Sequence, residues 1–492
     1  MNKGIYRIAA GVGAAVILVS SCTVQASMVM TNGTPAAVAT DSIVNWPAAP
    51  AVTSETAVLM DADTGTILYN KGMDEKRYPA SITKIMTALL ALENSNLDDQ
   101  VTFTEECLAD QTSDSGNIGM QVGEVLTMRQ CLLALMIRSA NDVATQIAVQ
   151  IAGSVAAFAD MMNQKAQELG CVNTHFVNAS GMPDENHYTT AHDMALIFRE
   201  AIKNQDFLDI IGTQSFTIDP TNMNPESRTY STHHALVAQG APEYYEGCFG
   251  GKTGVTEASK NTLVSGATRD GMTLIAVAMR ADAGQVCQDH ISMFDYGFNN
   301  FGLQNVSNND QRFDSDNKVT LQSPFCNTTD SIYIDKTSNI VLPKTAKFSQ
   351  LTSDVKFNYT KDSFATITYK YGDKSVGTAK VVYSSDSGKT DSTVTVASTT
   401  ASQQTTTVAN NTGNNKNSET AVAKNNSGKD SSNKESSTTV SNKNSKKSSF
   451  KLPGFFVPLV VVIIIIVVVV LVLILTNKRL NQIRESKRNR RY

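Results

Sequence analysis

This chain contains few cysteines and histidines, and it has no excess of positive charge. Its 492 residues include seven cysteines and six histidines, and none of these stand at the spacing of metal ligands, so we expect no metal and no other cofactor. The formal net charge of −4 argues against a general nucleic-acid binder. The length exceeds one ordinary domain, so two or three domains are expected.

The few cysteines do not indicate a small disulfide-bonded fold. Six of them follow position 26, and six cysteines allow fifteen complete pairings, none of which the spacing favours. Cys131 and Cys171 lie in apolar runs with helical spacing, where a free buried thiol is the preferred interpretation. The pairing of the other cysteines stays open.

The N-terminus has the pattern of an export signal. A positively charged start precedes the short apolar run 8–19 and a possible peptidase site at 24–26, so residues 1–26 are predicted to be a signal peptide. The stretch 19–22 also resembles a lipoprotein box, in which Cys22 would be lipidated after cleavage.

The C-terminal end has the pattern of a membrane anchor. Residues 455–475 are apolar and uncharged, and 21 helical residues span roughly 30 Å of hydrocarbon. The basic tail 476–492 follows at once, which predicts a cytoplasmic end and an extracellular remainder. Residues 384–452, rich in Ser, Thr, Asn and Lys, are predicted to be a disordered linker.

The first half of the chain after the signal has the pattern of a mixed α/β domain, predicted over residues 50–301. Strand-like runs occur near both of its ends and helical runs lie between them, which favours an antiparallel sheet flanked by helices. The predicted strands are 57–61, 66–70, 262–268 and 272–279, and the predicted helices are 81–93, 128–137, 142–152, 155–169 and 291–298. Short alternating runs from 305 to 383 predict a small all-β domain.

A hydroxyl and an amine stand three residues apart at the start of one apolar helical run. On a helix, Ser81 and Lys84 would share a face. A serine hydroxyl becomes a useful nucleophile only when a nearby base takes its proton, and an amine can be that base. The spacing alone is weak evidence, because Ser431 and Lys434 repeat it in the predicted linker. Lys84 acting only as a helix cap is the plain alternative.

Two further polar motifs accompany this pair. Ser139 and Asn141, separated by Ala140, supply a hydroxyl and an amide at a helix–helix junction. The sequence Lys252-Thr253-Gly254 supplies a cation and a hydroxyl at the start of a predicted strand. The ordered combination of Ser-x-x-Lys, Ser-x-Asn and Lys-Thr-Gly is typical of penicillin-binding proteins and β-lactamases.

On these motifs the chain resembles the low-molecular-mass penicillin-binding proteins that are serine D-alanyl-D-alanine carboxypeptidases. The segment 178–194, which contains His187 and Tyr188, is also similar to this family, and we interpret both of these residues as structural. The resemblance implies a β-lactamase/transpeptidase-like domain. It also implies peptidoglycan stem peptides as substrates and β-lactam antibiotics as covalent inhibitors, with no metal.

The resemblance also implies a role for each motif. Ser81 would attack the penultimate D-alanine carbonyl and Lys84 would accept its proton. Ser139 would pass a proton to the leaving amine, and Asn141 would hold the substrate amide. The substrate's terminal carboxylate would be bound by Lys252 and Thr253.

The oxyanion of the reaction would lie, by the same resemblance, between two backbone N–H groups. These are the N–H groups of Ser81 and Val255, and Gly254 would line the substrate beside them.

Two departures from the family pattern stand out. Many members place an arginine shortly after the last strand of the sheet, but residues 281–288 contain none, and we interpret Arg280 as a solvent-facing residue at the strand end. Ala140 stands where glycine is common, a change that should be tolerated.

Two other functions are compatible with the motifs. A class A β-lactamase would need a Glu-x-x-Leu-Asn loop, and the sequence 168–171 has the wrong pattern. An inactive wall-binding protein could keep the same fold without turnover. The predicted anchor and linker favour a membrane-tethered carboxypeptidase over the β-lactamase, and the intact motifs favour it over the inactive protein.

Overall fold

The computed structural model describes residues 38–111, 116–313, 318–323, 326–360, 362–383 and 406–407. All of them belong to one compact unit, Met1–Thr412. The predicted signal peptide, the predicted span 455–475, the basic tail and nearly all of the predicted linker lie outside the described residues. Within the described residues no single helix is long and apolar enough to cross a bilayer. One bent pair, Asn141–Ala152 with Val155–Glu168, passes that test on length and composition.

A five-stranded antiparallel sheet forms the centre of the first domain. Its strand order is β2-β1-β9-β8-β7, so strands distant in sequence pair at its middle. The strands are β1 (Thr56–Asp61), β2 (Ile67–Lys71), β7 (Cys248–Thr256), β8 (Lys260–Arg269) and β9 (Met272–Ala281). The four strands predicted from sequence correspond to β1, β2, β8 and β9, with the start of β2 shifted by one residue.

The central strands separate two hydrophobic cores. In β1 alternate residues face opposite sides, because side chains alternate along a strand. Val58 and Met60 belong to one core, whereas Ala57 and Leu59 belong to the other. Every residue of β1 is therefore buried. Because both faces of the strand are buried, its sequence is a nearly continuous apolar run.

Among the described residues, seven α-helices cover the sheet or build the first core. The five predicted helices are all present, with ends shifted by up to six residues, and Ala191–Ala201 and Gln205–Ile211 lie outside the ranges predicted above. The helices are α1 (Lys84–Asn94), α2 (Met128–Leu133), α3 (Asn141–Ala152), α4 (Val155–Glu168), α5 (Ala191–Ala201), α6 (Gln205–Ile211) and α7 (Gln285–Asn300).

Two of the predicted helices contain irregular turns next to the motif residues. The helix predicted from Ser81 begins as a 3-10 turn, Ala80–Thr83, and becomes α-helical only at Lys84. The helix predicted over 128–137 changes into a π-helical turn, Ala134–Arg138, and ends at Ser139 in the left-handed conformation. Such turns are frequent at functional sites, and a pattern of apolar residues does not reveal them.

Strand β7 is longer than predicted, and Lys252 lies in its middle rather than at its start. The adjacent glycines permit close packing within the strand. A Cβ atom at Gly251 would lie 2.0 Å from the carbonyl oxygen of Val264 on β8. Glycine is required here because the neighbouring backbone leaves no room for a side chain.

Three two-stranded sheets complete the described part of the chain outside the large sheets. They pair β3 (Gln100–Thr102) with β4 (Val125–Thr127), β5 (Ser215–Ile218) with β6 (Arg228–Ser231), and β10 (Phe301–Asn305) with β13 (Asn339–Pro343). The β5–β6 hairpin was not predicted from the sequence, because its strands are short and half exposed.

The chain after α7 is built of strands, as predicted. A six-stranded sheet has the order β11-β12-β16-β15-β14-β17. Its strands are β11 (Lys318–Ser323), β12 (Cys326–Ile334), β14 (Thr352–Thr360), β15 (Ser363–Tyr371), β16 (Lys374–Tyr383) and β17 (Thr406–Thr407). Ile332 and Ile367 share a hydrophobic core with Phe294 of α7, so this region packs on the first domain. Cys131 and Cys171 are free and buried, as predicted.

Three buried histidines make the stability of this fold depend on pH. Burial lowers the pKa of His187 and of His234 to about 4, and that of His290 to about 3, compared with about 6.5 in an unfolded chain. Between these values the unfolded chain binds protons that the folded chain does not. The free energy of unfolding should therefore fall as pH is lowered from about 6.5 to about 4.

The measurement is urea denaturation at several pH values in this window. His290→Gln removes one titrating ring. It should therefore reduce the slope of unfolding free energy against pH by the contribution of about one bound proton. A slope equal to that of the wild type would contradict the assignment.

Candidate active site

Ser81 is held at the start of α1 by an unusual backbone conformation. Ala80, directly before it, has a φ of +53°, a value that a residue with a side chain rarely adopts. The Thr262 hydroxyl on β8 donates a hydrogen bond to the Pro79 carbonyl oxygen at 2.9 Å. The 3-10 turn that carries Ser81 is thereby tied to the central sheet.

Lys84 is fully buried, and its amine joins three parts of the chain. Its Nζ lies 3.0 Å from Ser81 Oγ, 2.6 Å from Asn141 Oδ1 and 2.6 Å from the carbonyl oxygen of Ser180. The first distance is within reach for a direct proton transfer from the hydroxyl. The other two contacts fix the position of the amine beside Ser81.

The second motif sits at the break between the π-helical turn and α3. Ser139 adopts φ +65°, and Asn141 is the first residue of α3. The Asn141 backbone N–H donates to the Gly116 carbonyl oxygen at 2.7 Å. This junction turns the Asn141 side chain toward Lys84 and leaves Ser139 half-buried beside it.

Asp142, which the sequence reasoning did not select, holds the neighbouring loop in place. Its buried carboxylate accepts hydrogen bonds from the backbone N–H groups of Ile118 and Met120. Burial raises the pKa of this carboxyl. An acidic residue in the first turn of a helix is common, so the sequence gave no signal for this role.

The third motif lies on β7, which passes close to the Ser81 backbone. A Cβ atom at Gly254 would lie 2.9 Å from the Ser81 nitrogen, so only glycine allows this approach. Val255 follows with its side chain 68% exposed. The strand thus brings its backbone beside the N–H group of Ser81, as an oxyanion site requires.

Lys252 is buried on β7, and its amine donates to the Thr253 carbonyl oxygen at 2.8 Å. Burial lowers the pKa of Lys252 to about 7, because removal from water disfavours the charged form. Thr253 is half-buried. A carboxylate that arrives beside this amine would restore the charged form.

The structure therefore brings Ser81, Lys84 and Asn141 into direct contact and places the backbone at Gly254 against Ser81. The roles of these residues in catalysis and binding remain predictions, as do those of Ser139, Lys252, Thr253 and Val255.

The segment after α4 contributes backbone carbonyl oxygens to the site, which the sequence motifs did not indicate. Besides the Ser180 carbonyl oxygen, the Ala179 carbonyl oxygen accepts from the Thr87 hydroxyl at 2.7 Å. The Asn178 side chain closes this turn by accepting from the Gly181 N–H at 2.7 Å. The sequence showed only that 178–194 resembles the family, because a backbone acceptor has no residue signature.

His187 links the 3-10 turn that carries Ser81 to the segment after α4. Its Nε2 lies 2.9 Å from the Thr83 hydroxyl, and its Nδ1 accepts from the Val177 N–H at 3.2 Å. Because burial holds its pKa near 4, the ring is neutral at physiological pH. This arrangement agrees with the structural interpretation of His187.

The interpretation of Arg280 as a solvent-facing residue was wrong. Its Nε lies 2.8 Å from Glu55 Oε1, and its Nη1 donates to the Ala258 carbonyl oxygen at 2.7 Å. Arg77 approaches the same Glu55 carboxylate at 3.3 Å. The guanidinium is half-buried because β9 ends at a bulge, where Arg280 has a φ of +57°.

Gly181 lies against the Ala80 carbonyl oxygen, and this contact gives a test of how Ser81 is positioned. A Cβ atom at Gly181 would lie 1.9 Å from that oxygen. Gly181→Ala should therefore displace the turn before Ser81 and slow its reaction with a labelled penicillin by at least about tenfold.

Gly170→Ala is the matched control. Gly170 also has a positive φ, +83°, but nothing lies within 4 Å of its Cβ position. Both substitutions should cost about 1 kcal/mol in conformational strain, whereas only Gly181→Ala should slow labelling. Equal labelling rates in the two variants would refute this account of the turn.

Comparison with known proteins gives consistent results. A family profile described as D-alanyl-D-alanine carboxypeptidase matches residues 43–283. The D-alanyl-D-alanine carboxypeptidase DacF of Bacillus subtilis is 32% identical, over 50% of this chain and 63% of its own length. The corresponding enzyme of a Streptomyces species is 33% identical, over 51% of this chain and 88% of its own length.

A third relative and one solved structure add to this. The D-alanyl-D-alanine carboxypeptidase DacB2 of Mycobacterium tuberculosis is 32% identical, over 50% of this chain and 82% of its own length. The crystal structure of penicillin binding protein 5 from Haemophilus influenzae has a TM-score of 0.56 at 24% identity, over 68% of this chain and 98% of that chain, which supports the fold. The chain belongs to the D-alanyl-D-alanine carboxypeptidase family.

Proposed function

We propose that this protein removes the terminal D-alanine from peptidoglycan stem peptides through an acyl-enzyme on Ser81. The observation that carries the proposal is the buried Lys84 amine, 3.0 Å from the Ser81 hydroxyl. A hydroxyl and an amine in this contact form a nucleophile and its base without any third group. The family relationship described above supports the choice of substrate.

Acylation begins when Lys84 accepts the Ser81 proton and the oxygen attacks the carbonyl of the penultimate D-alanine. The negative charge that develops on the carbonyl oxygen is stabilised by the backbone N–H groups of Ser81 and Val255. One such donor contributes about 3–4 kcal/mol to the transition state. The approach of β7 to the Ser81 nitrogen supports this assignment.

The leaving D-alanine needs a proton on its amine. Ser139, half-buried beside Asn141, is the group proposed to deliver it, and the proton taken by Lys84 is its source. Asn141 holds the substrate amide with the part of its side chain that Lys84 does not occupy. Water then hydrolyses the acyl-enzyme and restores Ser81.

The free carboxylate of the substrate is proposed to bind at Lys252 and Thr253. A lysine whose pKa is lowered to about 7 by burial gains most from an anionic partner. This requirement selects peptides with a free C-terminus, as a carboxypeptidase must. A β-lactam carries a carboxylate in a similar place and is proposed to acylate Ser81 in the same way.

The location of the enzyme is proposed from sequence alone. Residues 1–26 would direct export, and 455–475 would anchor the chain with its basic tail in the cytoplasm. The linker 384–452 would hold the catalytic domain away from the membrane, within reach of the cell wall. Such a position suits an enzyme of cell-wall remodelling.

D-Alanine release from diacetyl-Lys-D-Ala-D-Ala tests the activity directly. The wild type is expected to release D-alanine, and Ser81→Ala is expected to release none above background, because the acyl-enzyme cannot form. A folded wild-type protein without release would refute the carboxypeptidase proposal. A penicillin adduct lost within seconds would indicate a β-lactamase instead.

Lys84→Ala tests the base. It should slow acylation by benzylpenicillin about 100- to 10,000-fold, the usual contribution of general-base catalysis, as followed by mass spectrometry of the adduct. Lys165→Ala is the control, because Lys165 lies outside the site and pairs with Glu93. Wild-type acylation in Lys84→Ala would show that this lysine is only a helix cap.

A further inference from the structure

The strained backbone of Ser139 is held by one loop, residues 116–124. Ser139 has a left-handed φ of +65°, and a residue with a side chain keeps such a value only where its surroundings enforce it. The Asn141 N–H donates to the Gly116 carbonyl oxygen at 2.7 Å. A Cβ atom at Gly116 would lie 2.8 Å from the Ser139 carbonyl oxygen. The conformation of Ser139 therefore depends on the position of this loop.

The first half of the loop is fixed from α3. The Asp142 carboxylate accepts hydrogen bonds from the Ile118 N–H at 3.3 Å and from the Met120 N–H at 3.2 Å. The side chains of Ile118 and Met120 are buried in the first hydrophobic core. This half of the loop therefore moves only if the core beneath it moves.

The second half of the loop is fixed by Glu124, whose side chain is fully buried. Its Oε1 lies 2.5 Å from Arg228 Nη2 on β6 and accepts from the Thr221 hydroxyl at 2.7 Å. Its Oε2 accepts from the Gln121 N–H at 3.0 Å. Removing one partner of a buried ion pair leaves the other charge buried and unpaired, which is strongly destabilising. The pair therefore ties the loop firmly to the β5–β6 hairpin.

The β5–β6 hairpin contacts the loop at other points and also the turn that precedes Ser139. Arg228 Nη1 donates to the Ile118 carbonyl oxygen at 3.3 Å. Asn222, between the two strands of the hairpin, donates to the Gly123 carbonyl oxygen at 2.7 Å. Strand β6 itself packs on the π-helical turn that ends at Ser139. The hairpin, the loop and this turn therefore form one connected unit around the second motif.

We propose that Glu124 and Arg228 are positioning residues for Ser139. Their ion pair holds the loop against the hairpin, the loop holds the backbone of Ser139, and that backbone directs the hydroxyl toward the leaving amine. The inference rests on the proposed function, in which Ser139 delivers the proton to the leaving D-alanine. It adds the two residues that keep the proton donor in place.

A defect in the position of Ser139 should affect one part of the reaction only. In acylation a bond forms between the Ser81 oxygen and the carbonyl carbon, the carbon–nitrogen bond breaks, and the leaving amine takes a proton by way of Ser139. A thioester with the same acyl group loses a thiolate instead, which needs no proton. Misplacing Ser139 should therefore slow cleavage of the amide and spare the thioester.

The experiment compares kcat/KM for diacetyl-Lys-D-Ala-D-Ala with kcat/KM for the thioester diacetyl-Lys-D-Ala-thioglycolate, which also ends in a carboxylate. Ser139→Ala sets the scale and should lower the amide-to-thioester ratio about 100-fold, the contribution of a general acid. Glu124→Gln and Arg228→Gln should each lower the ratio about tenfold, because the donor is then present but misplaced.

Asn222→Ala provides a milder variant, because Asn222 is exposed and its loss leaves the core intact. Without its hydrogen bond to the loop, the ratio should fall about threefold. Thr217→Val is the matched control, since it breaks a 2.8 Å hydrogen bond to Thr229 within the hairpin itself and should leave the ratio unchanged. Thermal unfolding shows which of the variants are folded.

Hydrogen exchange of the Asn141 N–H tests the loop without any substrate. This group is protected by its hydrogen bond to the Gly116 carbonyl oxygen, and local opening of the loop would expose it. Its exchange should be faster in Glu124→Gln and in Asn222→Ala than in the wild type. Thr217→Val should exchange at the wild-type rate.

A wild-type ratio in Glu124→Gln, or in Asn222→Ala if Glu124→Gln does not fold, overturns the proposal. Equal losses for amide and thioester would show a general structural role and overturn it as well. A further fall in the ratio when Glu124→Gln is added to Ser139→Ala would do the same, because both must act through one proton transfer.

Two other results concern the proposed function instead. Absence of D-alanine release by the wild type would refute the proposed activity, and a wild-type ratio in Ser139→Ala would refute the proton route through Ser139. The positioning by Glu124 is decided separately in either case, because wild-type exchange of the Asn141 N–H in Glu124→Gln and Asn222→Ala overturns it.

Discussion

The contacts of one buried amine hold the site together. Lys84 Nζ lies within 3.0 Å of oxygens on the turn before α1, on the first residue of α3 and on the segment after α4. These three parts of the chain are far apart in sequence, and none of them could place its oxygen correctly alone. The amine that is proposed as the base of Ser81 therefore also fixes the position of its hydroxyl.

Backbone atoms meet backbone atoms on the two sides of the nucleophile. On one side Gly181 lies against the Ala80 carbonyl oxygen, and on the other Gly254 lies against the Ser81 nitrogen. Ala80 is held between them in a left-handed conformation, and strain of this kind persists only where surrounding structure enforces it. The large buried core of the domain holds Ala80 in this conformation.

The sequence predicted the features that depend on local spacing. The Ser81–Lys84 contact follows from helical geometry, and β1, β8 and β9 followed from apolar runs. The features that arise from distant pairing were not predictable in this way: the Ser180 carbonyl oxygen on Lys84, the extension of β7 through Gly251, and the capture of Arg280 by Glu55. In each of these cases the partner is set by tertiary packing, which leaves no periodic signal in the chain.

Strand β7 has a consequence for the kind of molecule that this cleft accepts. It is the last strand of its sheet, so its outer row of amide and carbonyl groups has no neighbour within that sheet. An extended peptide can add itself to such an edge through main-chain hydrogen bonds, with side chains pointing alternately away. Recognition by this route depends on main-chain atoms, so a peptide added to this edge contributes affinity largely independently of its side chains.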